Sequence, residues 1–324
     1  MSKTYLELDT LIAGFRLCCQ TEAKSPVTIE WYVSALKRFR RYLTNNGMPT
    51  HLFSINRETI RAFIKYLQVE ARVPRSGKRL SPSTVHAYVR TLKAFFSWII
   101  REDYLEDNPM SKISLPKLPV KLVNSFDEGQ IAKMLHECRL NHRSGYRDMT
   151  MIVVMLDTGV RISELLGMNT DDIDFDGGYI GIRHGKGDKQ RLVPIGTLAQ
   201  KVLWKFINQH RADPLTENIQ KVFLGSTGIP ITKNGVLQMM RRYGQRAGIT
   251  GVRCSPHTLR HTFAKNYLLN GGDIFSLQKI LGHSSMASVR VYLNLFAQDI
   301  KKQHRRFSPM DNMAENRNVS IVLR

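Results

Sequence analysis

A chain of 324 residues is too long for one average domain and comfortable for two, and an apolar content of 42% is enough to bury sizeable cores. Its 48 Lys and Arg against 27 Asp and Glu leave a formal charge of +21 and an isoelectric point near 10.0, which points to a polyanionic partner, nucleic acid ahead of an anionic membrane surface. No apolar run approaches the ~18 residues of a membrane span, and the N-terminus lacks a signal-peptide pattern. Cys18, Cys19, Cys138 and Cys254 have neither disulfide-framework nor CxxC spacing, so a reducing cytoplasm is the expected setting.

The first third contains a repeat. "SPVTIEWYVSALKRFRRYL" (25–43) aligns without gaps to "SPSTVHAYVRTLKAFFSWI" (81–99) at an offset of 56 residues. Each copy opens on Ser-Pro, an N-cap followed by proline at the first helical position. Apolar residues then recur at helical spacing: Ile29, Tyr32, Val33, Leu36 and Phe39, and again Val85, Tyr88, Val89, Leu92, Phe95 and Phe96. With 55–71 as a helix between them, these copies predict a small helical bundle over 1–108. Its cations Lys37, Arg38, Arg40, Arg41, Lys65, Arg90 and Lys93 form either a solvated polar face or a surface for DNA phosphates. The basic loop 72–82 adds Arg75, Lys78 and Arg79 at the same expected surface.

Residues 109–124 read as an extended, Pro-containing linker, and a second domain is expected over 125–307. A Ser125/Glu128 capping box is expected to open its first helix, weakened by Gly129. Residues 147–169 read as a buried helix, a Thr-Gly break and a second helix. Residues 178–196 read as two strands around a Gly-rich basic turn. Helices are expected over 198–211, 232–248, 255–272 and from 274 to the Gly282 C-cap, followed by another to about 307. The fold class expected is therefore mainly α with a small β-hairpin. The tail, 308–324, reads as polar with a strand-like end at Val319–Leu323.

Several residues could carry chemistry. Arg161 stands at a helix start, where a cation opposes the helix dipole, so a phosphate partner and a surface pair with Glu164 are both open readings. Lys186, between Gly185 and Gly187 at the hairpin tip, is open as a general acid, a phosphate ligand or an ordinary basic turn. His257 and Arg260 share one helix face, with His261 beside them. A zinc set of Cys254, His257 and His261 is disfavoured, because no carboxylate completes it and an arginine adjoins it. His283 follows the Gly282 C-cap. Tyr292 lies on an apolar stripe with Val289, Leu293 and Phe296, which by itself favours a core role. Together, two arginines, a lysine, two histidines and a tyrosine fit one chemistry. The phenol attacks a phosphodiester, guanidiniums neutralise the non-bridging oxygens, and the lysine protonates the leaving 5′-oxygen.

This constellation resembles the tyrosine recombinase (phage integrase) family. The resemblance is carried by "TGVRISELLGM", "GKGDKQRLVPI" and "HTLRHTFA" with "LLNGGDIFSLQKILGHSSMASVRVY", in that order. It implies an N-terminal core-DNA-binding bundle and a catalytic domain closing as a C-shaped clamp on DNA. It further implies Arg161 and Arg260 as the phosphate clamp, Lys186 as general acid, His257 and His283 as supporting histidines, Tyr292 as nucleophile and Glu164 as an orienting group. Lys37, Arg38, Arg41, Arg75, Lys78, Arg79, Arg90, Lys93, Lys189 and Arg191 are the expected DNA contacts. Arg290 departs from the small polar residue common in relatives. Little precedes residue 25 that could form an arm-binding domain, so the chain is similar to compact Xer-type or transposon-encoded recombinases.

The family implies cleavage to a 3′-phosphotyrosine and a free 5′-hydroxyl, with four protomers joining two double-stranded DNA sites through a Holliday junction. It implies no ATP, metal or other cofactor, and a prokaryotic cytoplasmic location at the nucleoid. Accessory or directionality proteins are possible further partners. The tail is expected to dock on a neighbouring protomer. A type IB topoisomerase is the nearest enzyme alternative. A catalytically silent DNA-binding regulator is the binding-module alternative, against which the complete set of catalytic-type residues argues.

Overall fold

The computed structural model describes residues 6–74, 76–118, 124–138, 140, 142–183, 190–282, 304 and 308–315. The chain divides into two compact units, Met1–Lys121 and Leu122–Arg324. The expected sites at Arg75, Lys186, Lys189, His283 and Tyr292 lie outside the described residues, as does the strand-like run Val319–Leu323.

The first unit is a helical bundle of α1 (Leu8–Thr21), α2 (Pro26–Asn45), α3 (Arg57–Val69) and α4 (Pro82–Arg101). The repeat becomes two helices of equal length, 20 residues each. Ser25 and Ser81 cap them, each Oγ accepting the N–H three residues on, from Thr28 at 3.3 Å and Thr84 at 3.2 Å. Asn56 caps α3 in the same way, its Oδ1 accepting from the Thr59 N–H at 2.9 Å. The matched apolar positions all turn inward: Ile29 with Val85, Val33 with Val89, Leu36 with Leu92, Phe39 with Phe95. Phe39, Phe63, Phe95 and Phe96 fill the centre, each contributing roughly 1.5–3 kcal/mol through burial.

On the outside of this unit Lys37, Arg41, Lys78, Arg79 and Arg90 are exposed and Lys93 is half-buried. Lys37, Arg38 and Arg41 line a groove of about 640 Å³ with Tyr42, Tyr66 and Tyr88. Arg38 is held at its wall, donating to the Tyr88 hydroxyl (3.3 Å) and to the Arg72 carbonyl (3.2 Å).

The second unit opens with α5 (Glu128–His136), two residues later than the Ser125/Glu128 reading. Asp127 is the cap: its Oδ1 accepts the Gln130 N–H at 2.7 Å, and the Gln130 side chain accepts the Asp127 N–H at 3.2 Å. The register is set from a distance. Phe126 is buried, and its N–H donates to Thr262 Oγ1 at 2.9 Å, so the chain stays extended until Asp127.

Next come α6 (Arg143–Thr158), α7 (Ile162–Gly167) and an antiparallel sheet of order β1 (Ile173–Asp174), β2 (Tyr179–Ile182), β3 (Arg191–Pro194). The hairpin pairing places Ile180 opposite Val193 and Ile182 opposite Arg191. Strand β1 is an addition to the two strands expected, and at two residues it has no periodicity to read. Helix α8 (Thr197–Lys205) runs into a π-turn at Phe206–His210, and α9 (Lys233–Arg246) is capped by Thr232. Helix α10 (Pro256–Leu269) packs on α6, and α11 (Ile274–Leu281) packs on α10 and β3. The polar part of the tail forms a short helix, α12 (Pro309–Glu315), with Met310 and Met313 exposed.

Candidate active site

Three chain segments converge on the end of α11. The first is the junction of α6 and α7. Gly159 ends α6 in the left-handed region (φ 61°, ψ 18°). A Cβ there would overlap the Phe263 ring and come within 2.9 Å of Leu281, so glycine lets this turn close on α10 and α11. Arg161, two residues on, is the extended N-cap residue of α7. The buried Glu164 reaches back to it. Its Oε2 accepts the Arg161 N–H at 2.8 Å, and its Oε1 accepts Arg161 Nη1 at 2.7 Å.

The second segment is the start of β3. Arg191 donates Nη1 and Nη2 to the two oxygens of Glu164, both at 2.9 Å, and Nε to the Ile280 carbonyl at 2.9 Å. The third is α10, whose Arg260 is 4% exposed. Arg260 donates Nη1 to the Gly159 carbonyl (2.6 Å) and Nη2 to the Leu281 carbonyl (2.7 Å). Arg161 completes the set, its Nη2 donating to the Gly282 carbonyl at 3.1 Å.

The physical logic is a helix C-terminus. The last carbonyls of α11 lack intrahelical partners and carry the negative end of the helix dipole. Those of Ile280, Leu281 and Gly282 each receive a different guanidinium. Gly282 caps the helix in the left-handed region (φ 64°, ψ 47°), and a Cβ on it would lie 3.0 Å from the Arg191 guanidinium. Three guanidiniums and one carboxylate meet at this helix end, two of the guanidiniums paired with the carboxylate and the third on backbone carbonyls, a net +2 in a partly buried cluster. That excess suits an anionic ligand.

Burial alone would push the Glu164 carboxyl up. The hydrogen bonds from Arg191 and the Arg161 N–H outweigh it and hold the group down at about 2. It is therefore a fixed carboxylate, buried to 1% side-chain exposure.

His257 lies on the exposed side of α10, one turn before Arg260, its ring 6.1 Å from that of His261. Crowding by protein, then the fields of Arg260, Lys233, Arg161 and Arg253, lower its pKa, so it is neutral near pH 7. His261 is lowered to about 4 by burial first and then by His257 and Arg260. Among the described residues, no group of three His, Cys, Asp or Glu is placed to hold a metal ion.

The structure thus brings together Arg161, Glu164 and Arg260, with His257 on the same helix as Arg260. Lys186 belongs to the segment that ends just before Arg191, and His283 directly follows Gly282. Arg191, expected among the DNA contacts, is 13% exposed, and all three of its guanidinium nitrogens bond inside the cluster. Strand alternation is the signal that finds it, since Arg191 shares the inward face with Val193.

Comparison with known proteins follows the same boundaries. Residues 124–299 match the phage integrase family, and residues 10–118 match the phage integrase SAM-like domain. The chain is 30% identical over 304 residues to the tyrosine recombinase XerD of Staphylococcus haemolyticus (strain JCSC1435), covering 93% of this chain and 99% of that protein. It is similar in fold to the XerH site-specific recombinase bound to a palindromic difH substrate in a post-cleavage complex (21% identity, TM-score 0.69, 94% and 86% of the two chains). A lambda integrase tetramer bound to a Holliday junction is a further structural relative (19% identity, TM-score 0.67, 89% and 78%).

Proposed function

The chain is a member of the phage integrase family, the tyrosine recombinases, and from that premise we propose how its own residues divide the work of site-specific strand cleavage and rejoining. Tyr292 is the nucleophile. Its phenolic oxygen bonds to the scissile phosphorus, the P–O5′ bond breaks, and its electron pair leaves on the 5′-oxygen, which takes a proton from Lys186. The phenolic proton passes to a neighbouring histidine or to water. The product is a 3′-phosphotyrosine and a free 5′-hydroxyl. A 5′-hydroxyl from a partner strand reverses the same step and rejoins the DNA. Arg161 and Arg260 offset the charge that builds on the non-bridging oxygens, and His257 and His283 hydrogen-bond the phosphate or move its protons. Glu164 orients Arg161.

The observation that carries this reading is the convergence of Arg161, Arg191 and Arg260 on the last carbonyls of α11, immediately before His283, with a net +2. Such a cluster suits the two negatively charged oxygens of a pentacoordinate phosphorane. The exposed cations Lys37, Arg41, Lys78, Arg79 and Arg90 are assigned to duplex phosphates, and the working assembly is a homotetramer on two sites passing through a Holliday junction.

The test is covalent capture in EDTA. Nicked duplexes with a randomised core are incubated with the protein, and strands surviving denaturant wash on it are sequenced. Wild type is expected to retain DNA and Tyr292→Phe none. Equal retention by Tyr292→Phe would overturn the nucleophile assignment.

A further inference from the structure

Arg191 carries a guanidinium to which the strand-cleavage scheme gives no step of its own, and its side chain is 13% exposed. Its partners give it a role. Both oxygens of Glu164 are shared: Oε1 between Nη1 of Arg161 and Nη1 of Arg191, Oε2 between the Arg161 N–H and Nη2 of Arg191. The bidentate fork belongs to Arg191, so Arg161 makes only one side-chain bond to the carboxylate and turns Nη2 to the Gly282 carbonyl. Without Arg191, Glu164 would be free to rotate and take Arg161 in a fork of its own. The guanidinium would then swing away from the end of α11, and the cluster would fall from +2 to +1. The Nε bond to Ile280 adds a second constraint, tying the first residue of β3 to the last turn of α11.

We infer that Arg191 is a positioning residue for strand cleavage: it occupies Glu164 so that Arg161 stays directed at the substrate phosphate, and it locks β3 to α11. The inference rests on the recombinase reading above. Lysine cannot replace it, because a point charge does not supply two parallel N–H bonds together with a third from Nε in the same rigid plane.

The experiment uses the full chain and the nicked duplex recovered with wild type, synthesised with either a phosphodiester or a methylphosphonate at the scissile position. The methyl group removes one charged non-bridging oxygen, and with it part of the need for correctly aimed guanidiniums. Arg191→Lys and Arg191→Met are expected to bind duplex DNA within about threefold of wild type and to cleave the phosphodiester about 100-fold more slowly, the scale of a lost transition-state donor. On the methylphosphonate the deficit should shrink to less than about fivefold, as it should for Arg161→Ala. An equal deficit on both substrates would overturn the inference and leave Arg191 a support of the fold. Loss of binding in proportion to loss of cleavage would overturn it in favour of direct DNA contact. If Arg191→Met does not fold, as judged by circular dichroism, Arg191→Lys decides. If wild type captures no DNA, the recombinase roles fail, and the Glu164 carboxyl titration followed by carbon-13 shift then judges Arg191. A carboxyl still near 2 in the Arg191→Lys protein would overturn the fork.

Discussion

Glu164→Gln removes one charge and almost no volume, which makes it the sharpest test of how the arginine cluster is built. The carboxylate accepts four hydrogen bonds, two from Arg191 and two from Arg161. Its fall from 4.5 to about 2 corresponds to about 3 kcal/mol of preference for the charged form. At 1% side-chain exposure solvent screening takes little from that figure. Removing one partner of a buried ion pair costs ~3–5 kcal/mol by general experience, which agrees. For a unit of this size ~1 kcal/mol moves the melting temperature by ~2–4 °C, so the calorimetric transition of the second unit should drop by about 6–12 °C at pH 7. The pH dependence follows from the depressed pKa. The carboxylate's contribution is complete above 4.5 and is lost as pH falls toward about 2. The gap between wild type and Glu164→Gln should therefore stay constant from pH 7 to 5 and narrow below 4.5. A drop smaller than 2 °C, or a gap unchanged down to the lowest pH at which both proteins fold, would refute the electrostatic account.

Gly159→Ala should destabilise by about 2–4 kcal/mol, roughly 1 from the left-handed backbone and the rest from overlap with Phe263 and Leu281, read as a lower urea midpoint at constant slope. His261, depressed to about 4, makes the unfolded chain the better proton binder, so its share of stability is complete above pH 6.5 and is lost as pH falls toward 4; His261→Gln should flatten the midpoint-versus-pH curve in that window. Binding of a duplex should raise the pKa of His257, because a phosphate supplies the anion that its cationic neighbours lack, and proton NMR of the ring would show the shift. Arg90→Ala should weaken duplex binding about equally for every sequence and reduce the slope of log affinity against log salt by about 1, measured by fluorescence anisotropy.

Local signals made much of the fold legible. Ser25-Pro26 and Ser81-Pro82 start helices where the caps require it, and the inward residues of α2 and α4 follow the 3.6 period without exception among the matched pairs. Gly159 and Gly282 mark helix ends because a left-handed cap admits little else. The α5 start was not legible. Ser125 and Asp127 are both good caps, and the choice between them was made by Phe126, buried and bonded to Thr262 on a distant helix. The partners of Arg191 were not legible for a related reason. In a chain of +21 an arginine beside a basic turn suggests DNA, and only its place on the inward face of β3 shows that it faces Glu164.

The sequence by itself determined which groups are present and in what order: Arg161 and Glu164 one helical turn apart, Arg260 one turn after His257, and Gly282 before His283. Those spacings are short, and helix geometry converts them directly into shared faces. Only the tertiary structure decided which oxygen each guanidinium meets. Arg161, Arg191 and Arg260 come from three elements far apart in the chain, and a hydrogen bond depends on positions in space to within tenths of an ångström. The packing of α11 against α10 and β3 brought its last carbonyls to all three arginines, and so made one charged cluster of residues that the sequence leaves scattered.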